Sequence, residues 1–213
     1  MNGDSLAQVR QAHRICAAWY QHMLPMLNEV AQKMDTKFLL WETWSFNKPS
    51  RRQSNPLECW KWDLLPMMDV SFVFSKQQQP GNSMAETDFV MDLKLVTDSE
   101  LESDYRETQY SKNDEPLAIK LKKSADVAES YLGVYFFSAV NNAVYDTPEE
   151  LWSSYDGYPE TNSIIKLSDN DQIKGIGFSV PLSKLANDNG MTILVQKALK
   201  HLDLLLSVNF PLK

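Results

Sequence analysis

The chain has 213 residues, 43% of them hydrophobic and 23% charged, and two cysteines. That composition excludes a largely disordered chain and a disulfide-stapled small fold, and the length suits one domain over residues 1–213. The net charge of −7 is confined to residues 86–115, where ten acids stand against three bases and the remainder is neutral, which argues against non-specific nucleic-acid binding by a basic surface.

The opening Met1-Asn2-Gly3-Asp4-Ser5 has neither the basic nor the apolar part of a secretory signal. The longest nearly apolar run, residues 132–140, is far short of the ~20 residues a membrane span needs. With Cys16 and Cys59 read as buried thiols, the expectation is a cytoplasmic protein with no membrane association. His13, His22 and His201 show no ligand spacing, so a zinc site is not expected.

Residues 5–35 read as one long helix. Ser5 and Gln8 have capping-box spacing, and Leu6, Val9, His13, Cys16, Tyr20, Met23, Leu27, Val30 and Met34 form one stripe. Pro25 predicts a kink or break within residues 21–26 that would let the helix wrap the body. Residues 38–46 are strand-like, and residues 58–64 are read as a second strand with Trp60 and Trp62 on one side. The loop between them carries Lys48, Arg51 and Arg52.

Residues 69–76 and 87–96 alternate cleanly and are joined through Pro80-Gly81, a long-looped antiparallel hairpin with one apolar face. Residues 97–115 are expected as an exposed acidic connection, 117–121 as a strand and 124–129 as a short helical turn. Residues 131–140 are apolar on both faces, which predicts a buried central strand. Thr147-Pro148-Glu149-Glu150 is a helix start. Residues 164–167 and 173–178 flank a polar hairpin loop, and residues 191–207 make a largely buried final helix. The class is α+β: an antiparallel sheet of six or seven strands with the long N- and C-terminal helices packed on it.

Three functional readings follow. The leading one is a non-catalytic interaction protein, such as an inhibitor, immunity or accessory factor. It would present Asp98, Glu100, Glu102 and Asp104 to a basic site on a protein partner. The sequence leaves a homodimer open and implies no cofactor for this reading. The third reading is a small-ligand module lined by Trp41, Trp44, Trp60 and Trp62, for which core packing is the plainer explanation.

The second reading is enzymatic. Asp69, Asp92 and Lys94 on adjacent strands can hold Mg²⁺ through the two carboxylates and activate a water. This arrangement resembles the PD-(D/E)xK nuclease signature over residues 66–94. The resemblance implies a metal-dependent phosphodiesterase with Asp69 and Asp92 as metal ligands, Lys94 as the third catalytic group and Glu29 as an added acid. The sequence departs from the pattern in the two methionines between Pro66 and Asp69, and in the acidic loop after Lys94. The alternative is structural: with Phe74 opposite Phe89, Asp69 would fall opposite Lys94 and Ser71 opposite Asp92 on the polar face of the hairpin, an ordinary cross-strand pair contributing about 0.2–1 kcal/mol. Asp169-Asn170-Asp171 lacks the Gly and Glu of a calcium loop and is read as a turn. Gly175-Ile176-Gly177 is read as a bulge or close backbone contact.

Overall fold

The computed structural model describes residues 3–48, 55–79, 83–110, 113–140, 144–187, 189–208 and 210, and excludes the side chains of residues 3–5 and 66. Helix α1 (Gly3–Lys33) runs on through Pro25. Met23, Met26, Leu27, Val30, Ala31 and Met34 are buried in the core, and this packing holds the half of the helix that lacks the proline's hydrogen bond. The expected wrapping does not occur: residues 6–18 are all exposed, Cys16 among them although it reads as a buried thiol, so the first half of the apolar stripe stays outside the core, with Ile15 and Cys16 facing Leu65 and Met68 across an open pocket. Asp35, at φ 53°, turns the chain into β1 (Lys37–Thr43).

Strands β2 (Asp69–Lys76), β3 (Phe89–Val96) and β4 (Tyr131–Ala139) follow. Between β3 and β4 lies the short helix α2 (Ser103–Gln109), and after β4 comes α3 (Pro148–Ser153), capped by the Thr147 hydroxyl on the Glu150 amide at 3.1 Å. β5 (Lys166–Leu167), β6 (Ile173–Pro181), the single-turn α4 (Leu182–Leu185) and α5 (Gly190–Ser207) complete the chain. The six strands form one antiparallel sheet in the order β1-β2-β3-β4-β6-β5, an α+β fold.

Two expected strands are absent. Residues 61–64 form a 3₁₀ turn, because Trp60 and Trp62 turn toward Phe46 and Trp62 Nε1 donates to the Pro116 carbonyl at 2.7 Å. Ala118–Lys120 is another 3₁₀ turn, and its middle residue Ile119 is 92% exposed, so alternation there reflects no buried face. The β2–β3 register also differs from the expectation by two residues. Phe74 lies opposite Met91, Ser71 opposite Lys94 and Asp69 opposite Val96.

Each face of the sheet has its own cover. On one, Val70, Phe74, Met91, Leu93, Val134, Phe136 and Phe178 pack against α1 and α5. On the other, Val73, Val90, Phe137 and Ile173 pack under Tyr145, Leu151 and Tyr155, with α3 lying over β3 and β4. The polar residues of the β2–β3 hairpin share this second face. They are not solvated: Asp69 is 1% exposed, Ser71 and Asp92 0%, and Lys94 5%.

Candidate functional site

The site begins with two glycines. Gly133 and Gly177 flank Tyr135, in adjacent register with it on β4 and β6. A Cβ at Gly133 would lie 2.5 Å from the Tyr135 ring, and one at Gly177 would lie 2.2 Å from it. Their hydrogens let the ring lie flat on the sheet, and Tyr158 packs on it with centroids 4.4 Å apart. Gly175 makes the same room for Tyr155. The Gly-x-Gly pair thus marks a close approach to the backbone, as the sequence suggested, by rings rather than by another strand.

Tyr158 delivers its hydroxyl into a buried relay. Trp44 Nε1 donates to Ser71 Oγ at 2.9 Å, and Ser71 Oγ lies 2.8 Å from the Tyr158 hydroxyl. The Tyr158 hydroxyl reaches Asp92 Oδ2 at 2.9 Å, and Trp152 Nε1 donates to the same oxygen at 2.9 Å. Each hydroxyl has one proton, so the chain runs Trp44 to Ser71 to Tyr158 to Asp92, with the carboxylate as terminal acceptor. Burial pushes the Asp92 carboxyl up to about 6, against the hydrogen bonds from Tyr158 and Trp152, which favour its ionised form. Burial raises Tyr158 as well, and the Asp92 charge adds to it.

One register position away, Lys94 Nζ lies 3.5 Å from Asp69 Oδ1 and 3.4 Å from Glu102 Oε1, and 5.0 Å from the Tyr158 ring centroid. Asp69 Oδ2 accepts from the Ser103 amide at 2.9 Å, and the Tyr131 hydroxyl donates to Glu102. Burial raises the Asp69 carboxyl, with Lys94 pulling the other way.

Asp69 and Lys94 are therefore brought together, while Asp92 points to Trp152 and Tyr158. The lysine ammonium itself bridges Asp69 and Glu102, and among the described residues no three His, Cys, Asp or Glu side chains converge to hold a metal ion. Glu29 is exposed on α1 and paired with Lys33 at 3.6 Å. That helix covers the opposite face of the sheet.

The acidic segment is not the outward-facing strip that was expected. Glu100 is 0% exposed, Asp98 and Glu102 are half-buried, and only Asp104 is exposed. Leu101 and Arg106 are buried, and they draw the segment against the body. Glu100 accepts from the Tyr110 hydroxyl and from the Lys122 amide at 2.8 Å. Burial pushes its carboxyl up, but these hydrogen bonds outweigh that and hold it below the usual range.

Above the relay opens a cavity of about 470 Å³. Trp44, Trp152, Tyr155 and Tyr158 form its walls, with Glu42, Asp104 and Asp156 at its polar margin and Lys94 within it. Glu42 pairs with Lys48 at 3.0 Å. Among the described residues neither Asp104 nor Asp156 joins an ion pair.

The four tryptophans singled out from the sequence do not share one surface. Trp41 packs with the helical face, Trp62 stacks on Phe46 at 5.6 Å, and Trp44 and Trp60 line cavities. Arg51 and Arg52 lie outside the described residues. Trp152, Tyr155 and Tyr158 escaped the sequence reading. The one signal was three aromatics within seven residues after a helix start, beside Gly157 and Pro159.

Fold and site together define an α+β protein whose six-stranded sheet carries a helical layer on one face and an aromatic, polar-lined cavity on the other. The chain belongs to the PM0109 family, whose model matches residues 2–204. No curated protein and no solved structure matches it. No helix among the described residues is long and apolar enough to cross a membrane.

Proposed function

We propose that this protein is a non-catalytic binding module that receives a basic side chain of a protein partner in the cavity over β2 and β3. The observation carrying this reading is the pairing of aromatic walls with unmatched acids. Trp44, Trp152, Tyr155 and Tyr158 offer ring faces to a cation, and Asp104 and Asp156 supply negative charge at the rim. The cavity's own cation, Lys94, is already neutralised by Asp69 and Glu102 and does not repel a second one. The partner's basic surface is that of the original expectation, but the receiving groups are Asp104 and Asp156 rather than the whole run from Asp98 to Asp104. A Mg²⁺-dependent nuclease is less well supported, since Asp92 is held by Trp152 and Tyr158, away from Asp69.

Titration with Arg- and Lys-containing peptides, read by quenching of Trp44 and Trp152 fluorescence, tests the reading. Saturable, salt-sensitive binding should weaken about tenfold in the Asp104→Asn/Asp156→Asn double variant, the equivalent of roughly 1.4 kcal/mol. Binding that is insensitive to both changes and to salt overturns it.

A further inference from the structure

A second cavity, of about 550 Å³, shares Glu42 and Trp44 with the first and extends to Lys48, Trp60 and Arg106. Arg106 is 5% exposed, although it belongs to the segment expected to lie in solvent. Its guanidinium carbon lies 5.8 Å from the Phe46 ring centroid and 5.7 Å from that of Trp60. Among the described residues, Nε and Nη1 are buried without a hydrogen-bond partner. Nη2 meets Glu107 at 3.7 Å, beyond hydrogen-bond range. A buried guanidinium with unmade donors is among the costliest groups a fold can keep. The walls around it are fixed: Ser45 donates to the Leu101 carbonyl, the Asn47 amide to Asp63 at 2.9 Å, and Trp62 to the Pro116 carbonyl at 2.7 Å.

We propose that Arg106 anchors a carboxylate-binding subsite in this cavity, specific for a monoanion with a flat apolar body. The planar fork of donors matches a carboxylate, and Trp44, Phe46 and Trp60 provide surface for a planar group. The charged lining favours one negative charge over two, with Lys48 and Arg106 set against Glu42, and with Glu107 beside Arg106. This subsite adjoins the proposed cation site through Glu42 and Trp44, but Asp104 and Asp156 do not line it.

The test is a titration of the ¹⁵N-labelled full chain with benzoate, following the Arg106 Nε–Hε resonance, with inorganic phosphate and chloride in parallel. A saturable downfield shift with benzoate is expected, with phosphate binding at least about tenfold more weakly. Arg106→Lys keeps the charge and removes the fork, and should weaken benzoate binding by about tenfold or more, while Asp203→Asn, on α5 across the sheet, leaves it unchanged. No saturable shift, equal shifts with phosphate and chloride, or undiminished binding in Arg106→Lys would each overturn the proposal. If Arg106→Lys fails to fold, the wild-type resonance alone decides.

Discussion

The two faces of this sheet are buried to similar depth by different chemistry. The helical face is apolar throughout its middle, and the buried lysine at its edge, Lys174, donates to the Val208 carbonyl at 3.0 Å just past α5. The opposite face buries two aspartates, a serine and a lysine under tyrosine and tryptophan rings. A fold that wanted only stability would fill both faces alike, because hydrocarbon needs no partners and buried charges do. The contrast separates a face held together by hydrocarbon from one that buries a paired polar cluster beneath aromatic rings.

The comparison can be broken most forcefully on the helical side. Phe136 is 0% exposed and packs on Phe89 at 6.1 Å, so Phe136→Ala should cost about 3–5 kcal/mol in chemical denaturation. On the polar side the largest effect should depend on pH. The folded-state carboxyl of Asp92 sits at about 6 rather than its ordinary 3.8, so the folded protein holds this proton more tightly than the unfolded chain. Its stabilising contribution is complete below about pH 4 and is lost as pH rises through 6. Relative to Asp92→Asn, wild type should lose about 2 kcal/mol of unfolding free energy between pH 4 and 8. A pH-independent difference between the two would mean that the charge is not what distinguishes this face.

Smaller effects sharpen the contrast. Gly177→Ala places a methyl against the base of the Tyr135 ring, and should cost about 1–3 kcal/mol while disturbing the Tyr135–Tyr158 contact. Near-ultraviolet circular dichroism would register the loss of aromatic order. Thr147→Ala removes the cap of α3, which carries Trp152 over Asp92. It should cost about 1 kcal/mol of stability, measurable by denaturant melts.

The architecture was largely visible in residue patterns. Alternation placed β2 and most of β3, apolarity on both sides marked β4, and heptad-like spacing marked α1. The failures share one cause. Alternation at Trp60 and Trp62, and again around Ile119, satisfied a local rule that neighbouring segments did not use. The site was legible only in part. Asp69, Asp92 and Lys94 form the cluster the sequence marks, and Asp69 does meet Lys94, but diagonally across a ladder shifted by two residues and on a buried face. The rings that turn a polar face into a cavity come from residues 152–158, about sixty positions beyond Asp92, and no local spacing connects them. Acidity alone also misled: Glu100 and Asp104, four residues apart, are respectively sealed inside and open to solvent.

Helix α1 is anchored at one end only. Its first fully buried side chain is Met23, and nothing in residues 6–18 contributes to the core. Amide protons of that stretch depend on the helix's own cooperativity, whereas those beyond Met23 are guarded by the whole fold. Hydrogen exchange should therefore divide a single uninterrupted helix into a fast and a slow half. A protease cut within the fast half should release a peptide while leaving the melting temperature of the remaining body almost unmoved.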